Sequence, residues 1–356
     1  MALILVGALL MFLLGQDDFA AVRGVCKDMA LLSVSMQHPA AGAAALAGQV
    51  QQAAAQVAPP TLATTARTTL STTTGGTTPT TKAALPVTGG TIPKKAADAG
   101  KVLTQMLAGD KGVGGIAVKN RSGKAISVPD MLKKKLELTV DVASKQPQVL
   151  IVHTHTTENF LTYDAGFYNP ADIARTKDMT RNICAAGKAL CETLNARGVV
   201  SIHDTTIHDN PQYTGAYERS EKTVKALLKR YPSVKVVLDI HRDAIMPDST
   251  THVKPTASVD GRPAAQLMIV AGTVNTTALP HPNWQKNMAF AVQLQKKLTD
   301  THKNLMRPLY VVASRYNQHL SAGYLLIEVG SDVNTVEEAE YSAQLLGKTL
   351  ADFLKK

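Results

Sequence analysis

Four short apolar runs constrain this chain more than anything else in it: VLIVHTHT (149–156), VKVVLDIH (234–241), QLMIVAGT (266–273) and YLLIEVGS (324–331). Unbroken runs of Val, Ile and Leu of this length read as strands buried on both faces. Around them lie stretches with helical patterning, at 175–197, 219–230, 283–298 and 334–354, the last opening on VEEAE. Strands alternating with helices predict a single α/β domain, a mostly parallel sheet flanked by helices. No internal repeat competes with that reading.

The first hundred residues are of another kind. Ala2 to Leu14, ALILVGALLMFLL, is uncharged and strongly apolar, yet shorter than the ~20 residues a spanning helix needs. No basic residue precedes it, as one would in a cleaved signal, so it is read as a signal anchor cut short at its start. From Ala40 onward the chain is rich in Ala and Gln and then in Thr, with TLATTARTTLSTTTGGTTPTT at 61–81. Such sequence has too little bulky apolar surface to offset the entropy of ordering and is expected to be a disordered tether. The layout is thus an apolar anchor region over 1–36, a low-complexity Ala/Thr/Pro tether over 37–112 and a globular domain over 113–356. Stalks of this composition commonly join a membrane anchor to an extracytoplasmic domain, and a cytoplasmic linker has the same composition.

Composition removes several functions. Three cysteines in 356 residues cannot make a disulfide framework, and neither CxxC nor zinc-finger Cys/His spacing occurs. Cys184 and Cys191, about two helical turns apart, are too distant to be bridged and read as core. G-x-S-x-G, Walker and dinucleotide glycine patterns are absent, which withdraws the usual support for serine hydrolases, NTPases and Rossmann dehydrogenases. The excess of 38 Lys and Arg over 28 Asp and Glu suits an anionic partner. It is dispersed, and aromatics are too few for a stacking platform, so no nucleic-acid partner is expected.

In open α/β sheets, ligands gather at the carboxyl ends of strands. Three of the four runs end there in polar residues: His153, Thr154, His155 and then Glu158; Asp239, His241, Arg242 and Asp243; and Glu328 within LLIEVG. A carboxylate in an apolar strand is costly to bury unless paired, protonated or near a cation. His155 and Glu158 form H-x-x-E, and with His241 they make the two-His, one-carboxylate set of a catalytic Zn2+ site, leaving Glu328 as general base. His153, two residues before His155 on an extended strand, projects to the same face and is the rival ligand. The turn-rich segment from His203 through Asn210-Pro211 to YTGAYERS is read either as a wall of the substrate groove, presenting Tyr217 and Arg219, or as a surface loop.

VLIVHTHTTENF, HDNPQYTGAYERS, VVLDIHRDA, HPNWQKN and RYNQHLSAGYLLIEVGSDVNTVEEAE stand in that order, and together they closely resemble the stage II sporulation protein P family from about residue 115 to the C-terminus. The resemblance implies a zinc N-acetylmuramoyl-L-alanine amidase anchored outside the cytoplasm at the sporulation septum. It would cleave peptidoglycan during septal thinning and engulfment, with an added endopeptidase action on cross-links. Stage II sporulation proteins D and M are the implied partners. His155 and His241 fall on the family's zinc histidines and Glu328 on its catalytic glutamate. Glu158 is set against a later acid, Asp172 or Asp178, because related amidases take their acidic ligand from the following helix. Arg242 is implied at the oxyanion or at a stem-peptide carboxylate, and Asn317 joins Tyr217 and Arg219 as a substrate-binding residue. The rival readings are a zinc carboxypeptidase or other wall peptidase, which uses the same donor set, and a wall-binding module without activity.

Overall fold

The computed structural model describes residues 90–355. In chain order the elements are β1 (Gly100–Gln105), β2 (Val118–Arg121), α1 (Val128–Lys133), β3 (Val149–Val152), β4 (Phe167–Tyr168), α2 (Ile183–Ala196), β5 (Ser201–His203), α3 (Ala216–Arg230), β6 (Val236–Asp243), β7 (Thr251–Val259), β8 (Arg262–Ala265), β9 (Leu267–Gly272), α4 (Trp284–Thr301), β10 (Leu309–Val312), β11 (Tyr324–Ser331) and α5 (Val336–Leu354). All four expected strands and all four expected helices are present.

The large sheet has the order β2-β10-β9-β11-β6-β3-β5. Five of its six joints are parallel, and the β9–β11 joint is antiparallel. The expectation of a mostly parallel sheet therefore holds joint by joint but needs one correction: β9, β10 and β2 run against the other four strands. The carboxyl ends of β3, β6 and β11 share one edge, while that of β9 lies at the opposite edge. QLMIVAGT is the run without a polar cluster at its end, and it is also the one turned around.

Period-2 alternation divides the buried strands between two layers. Ile151, Leu238, Ile240 and Ile327 belong to the main core with residues of α2, α4 and α5, such as Leu190, Phe290 and Leu346. Leu150, Val152, Val237 and Tyr324 face the other way, onto Val224, Leu227 and Leu228 of α3. Helix boundaries follow local chemistry. Thr335 and Glu338 form a reciprocal capping box at the start of α5, a device that satisfies two orphan N–H groups. α2 begins only after Asn182, whose side chain accepts from the Cys184 N–H, eight residues later than the sequence suggested. α3 begins three residues early, because Gly215 adopts φ 82°, a left-handed turn that glycine takes without strain.

A second sheet, β4-β1-β7-β8, is absent from the sequence reading. Its β7–β8 hairpin turns at Asp260-Gly261, with φ 50° and 76°, a dipeptide that is a strong hairpin signal. Its central strand β1 falls inside the stretch assigned to the tether, so the ordered domain begins before residue 113. The first part of that tether and the proposed anchor lie outside the described residues.

Lys254 of β7 fastens the small sheet to the rest. Its Nζ is 2.8 Å from Asp164 and 2.7 Å from Glu338 of α5, and only 2% of its side chain is exposed. Removing one partner of a buried pair leaves the other charged and uncompensated. Lys254→Ala is expected to destabilise the domain by about 3 kcal/mol, in the range of broken buried pairs, measured by urea unfolding; an unchanged midpoint would contradict this.

Candidate active site

Strand register brings the polar ends together. β6 and β11 are adjacent and parallel, and Glu328 is the register partner of His241. Asp239 and His241 follow Val237 at period 2, so both side chains lie on the α3 side of the sheet. β3 ends at Val152, and the turn after it is held by Asp239, which accepts from the Thr154 N–H at 2.8 Å and its hydroxyl at 2.7 Å. That turn delivers His155 to His241: the ring centroids are 5.3 Å apart with planes at 85°. Tyr213 stacks on His155 at 4.4 Å, and Tyr217 meets its edge at 5.5 Å. Glu158 completes the group, with Oε2 3.6 Å from His241 Nδ1 and accepting from the Arg242 N–H at 3.1 Å.

Asp239 is fully buried, and its donors are Thr154, the Tyr324 hydroxyl at 3.2 Å and His241 Nε2 at 2.9 Å. Burial by itself would raise its pKa, but His241 and the Thr154 hydrogen bonds prevail and hold it low. His241 moves the opposite way. Burial opposes its charge, yet Asp239, Glu158 and Glu328 outweigh that and raise its pKa. His155, buried and beside His241, is lowered to about 3 and is neutral. Burial pushes Glu328 up to about 8 against the pull of His241, with Asp243 and Glu158 adding to the rise.

These residues suit a zinc ion. His155 Nδ1 is enclosed and has no hydrogen-bond partner, and the same is true of Glu328 Oε2. With Nε2 of His241 donating to Asp239, its Nδ1 lone pair turns toward Glu158, the carboxylate–histidine arrangement that orients metal ligands. Two imidazoles, with His241 giving up the proton that its raised pKa favours, and a carboxylate are the donor types of a zinc site.

The alternative ligands are engaged elsewhere. His153 sits one residue beyond the end of β3 and keeps the parity of Ile151, so it turns to the α2 side, with Nδ1 2.8 Å from the Ile240 carbonyl and Nε2 2.7 Å from His203 Nε2. The same-face expectation for His153 and His155 fails because the strand stops before either. Asp172 accepts from the Tyr163 hydroxyl at 2.6 Å, and Asp178 caps Thr180 at the surface.

Among the expected substrate residues, Tyr217 is at the site, 5.7 Å from Tyr316. Arg219 is not presented to a ligand: it donates to the carbonyls of His208, Gln212 and Thr214 and shapes the loop instead. Asn317 is buried and donates to the Tyr217 carbonyl at 3.0 Å and to Ser220 Oγ at 2.8 Å, so it positions Tyr217. Arg242 stands beside Glu158 with Nε donated to the Asn159 carbonyl at 3.1 Å.

Arg175 was not found from sequence, and Asp209 and Tyr213 entered only as members of the turn-rich segment, without roles of their own. Arg175 links Glu158 at 3.4 Å to the buried Asp209 at 2.5 Å and lies 4.7 Å over the Tyr213 ring. Nothing local marks these three, whereas the D-x-H spacing of Asp239 and His241 on one strand face is a readable signal. From Glu328 a cleft of about 570 Å³ runs along Asp243, Met268, Arg307, Tyr310 and Tyr316. Tyr316 also borders a shallower one of about 390 Å³ beside Tyr217 and Arg315.

The Glu328 shift has a consequence for stability. With a folded pKa of about 8 against an ordinary 4.5, the folded protein keeps a proton that the unfolded chain releases. Its share of stability is complete below 4.5 and is lost as pH rises to about 8. Metal-free Glu328→Gln is therefore expected to lose less Tm than the parent between pH 5 and 8; parallel profiles would contradict the assignment.

Comparison with known proteins supplies the family. The sequence model described as Stage II sporulation protein P matches residues 94–351. Stage II sporulation protein P of Bacillus subtilis is 27% identical over 206 residues, covering 55% of this chain and 48% of the relative; the chain thus spans about half the length of that protein. Among solved structures, an N-acetylmuramyl-L-alanine amidase of Mycobacterium smegmatis aligns at 15% identity and TM-score 0.33, over 59% of this chain and 99% of the amidase. The CwlD amidase of Clostridioides difficile aligns at 14% and 0.36, over 58% and 98%. Scores this low transfer neither fold nor chemistry, and the family rests on the sequence match. With well over half of its length covered by that match, the chain belongs to the stage II sporulation protein P family.

Proposed function

We propose that this chain is a zinc-dependent peptidoglycan hydrolase of sporulation that cleaves the amide between N-acetylmuramic acid and the L-alanine of the stem peptide. The observation that carries the reading is Glu328: an enclosed carboxylate with Oε2 unpartnered, in register with His241, whose ring packs against His155, itself with an unpartnered Nδ1. A carboxylate beside a pair of imidazole ligands, with no structural partner of its own, is what amide hydrolysis needs for proton transfer. The cleft along β9, β10 and β11 offers length for a polymeric substrate, and the family membership supports the sporulation setting.

Zinc, when bound, supplies Lewis acidity, polarising the scissile carbonyl and lowering the pKa of water. Glu328 accepts the proton of the attacking water at Oε2 and returns it to the departing alanine nitrogen. Asp239 keeps the proton of His241 on Nε2, so that Nδ1 is free to ligate. Arg175 and the Arg242 N–H hold Glu158 in place, and the outer edge of the Arg242 guanidinium is available to the developing oxyanion or a stem-peptide carboxylate. Tyr217 and Tyr316 form an apolar wall for the substrate. The positive net charge draws the domain to anionic wall polymers.

The family membership supports a sporulation setting, and a location outside the cytoplasm at the septum, with stage II sporulation proteins D and M as partners, is part of the same proposal. Among the described residues no helix is long and apolar enough to cross a membrane, and the proposed anchor at 2–14 lies outside them. A wall carboxypeptidase would need a cationic clamp on the free C-terminus; Arg219 is committed to loop carbonyls, which leaves Arg242 and Arg315 for that role.

Digestion of purified muropeptides followed by mass spectrometry tests the bond: new L-alanine amino ends are expected, and release of D-alanine alone would overturn the amidase reading. Glu328→Gln is expected to lose ~10²-fold or more of turnover, the usual effect of a missing general base, while keeping its fold; wild-type turnover would place the base elsewhere. His155→Ala and His241→Ala should be folded and inactive. After chelation, Glu158→Ala should need more than ~10-fold more zinc than the parent to recover half-maximal hydrolysis, since even outer-shell losses reach that range. His153→Ala should need little more, and the reverse order would make His153 the ligand.

A further inference from the structure

Behind the candidate active site, on the α2 side of the sheet, His153, Cys184 and His203 bring three ligand atoms within 4.8 Å of one another. They come from three elements: the end of β3, the first turn of α2 and the end of β5. His153 and Cys184 are buried, and His203 is partly open to solvent, which gives an ion a way in. The His153 Nδ1 contact with the Ile240 carbonyl, 2.8 Å, requires a hydrogen on Nδ1, because a carbonyl can only accept. Nε2 then carries the lone pair and meets His203 Nε2 at 2.7 Å. A backbone carbonyl fixing one ring nitrogen while the other points into a cluster of donors is the support that metal-bound histidines receive.

Gly187 is a second, independent observation. It lies three residues after Cys184, on the same side of α2, and a Cβ there would come within 2.5 Å of both Nε2 atoms. The helix thus leaves open the place where the two nitrogens meet. Cys184 is a free thiol in the same turn. One sulfur and two imidazole nitrogens, with a fourth position open toward His203, form a donor set for zinc and its borderline-soft neighbours.

We propose that His153, Cys184 and His203 are a second metal site, for an ion of the Zn2+ class, separate from His155, Glu158 and His241. Binding replaces the thiol proton of Cys184, which leaves to solvent, and breaks the His153–His203 hydrogen bond. The proton on His203 Nε2 moves through solvent to Nδ1, so that both Nε2 lone pairs face the ion. Tetrahedral ligation at the usual zinc–nitrogen length needs the Nε2 atoms about 3.3 Å apart, a small rotation of the partly exposed His203. The bound ion ties β3, β5 and α2 together two residues before His155, and so braces the segment that carries it. This inference does not rest on the hydrolase reading.

Cobalt titration of the chelator-stripped full chain tests it. A thiolate-to-cobalt charge-transfer band is expected in the parent and in His155→Ala, and is lost in Cys184→Ser and in His203→Ala. After dialysis against zinc, the parent should hold about two equivalents and Cys184→Ser about one, counted on the one-ion-per-site model. Absence of the band from the folded parent, or its persistence in Cys184→Ser, would overturn the proposal. Equal zinc in the parent and His155→Ala, with the band intact, would instead remove the active-site assignment and leave this one standing.

Discussion

A fully buried carboxylate faced by a single imidazole organises the heart of this domain. Asp239 sits in the middle of an apolar strand, and its negative charge is tolerable only because Thr154, Tyr324 and His241 direct four hydrogen bonds at it. Each of those donors fixes something else. Thr154 sets the turn that carries His155 out of β3, Tyr324 ties β11 to β6, and His241 is held with Nδ1 toward Glu158. Desolvation would make such a carboxylate very costly if any donor were lost. The same negative field makes His241 receptive to a cation, whether a proton or a metal ion.

The reversal at the β9–β11 joint gives this centre its surroundings. Four parallel strands place the ends of β3, β6 and β11 at one edge, as ligand-binding α/β sheets do. The reversed strands then present Met268 and Tyr310 beside Glu328, with Tyr316 added from the β10–β11 connection, so the cleft is walled by strand faces rather than by loops alone. On its other flank the loop before α3 is stiffened by Arg219, and Asn317 reaches across from the β10–β11 connection to hold the Tyr217 carbonyl. Charge and packing act together there, because Arg175 touches Glu158, Asp209 and the ring that stacks on His155.

His155, Glu158, His241 and Glu328 could be picked out together because each follows or interrupts a run of Val, Ile and Leu, where a polar side chain is costly. His153 carried the same signal, and its direction was misjudged. His153 keeps the parity of Ile151 and faces α2, whereas His155, past the end of β3, leaves the period-2 pattern and turns to His241. Arg175, Tyr213 and Asp209 lie in loops of ordinary polar composition, so no local pattern distinguishes them from solvated surface. The small sheet went unread for a similar reason: β1 and β4 are short and half exposed, and the pairing of β1 with β7 joins residues far apart in sequence.

Local sequence by itself determined the strands, the helices and the edge at which chemistry would collect, since burial periodicity and the desolvation penalty act over a few neighbouring residues. It also determined the family, through five ordered motifs. Only the tertiary structure decided the direction of β9, the partners of His153 and Arg219, and the placing of Glu158 against His241. Those outcomes depend on which distant groups compete for each hydrogen bond and charge, and that competition exists only after the sheet has assembled.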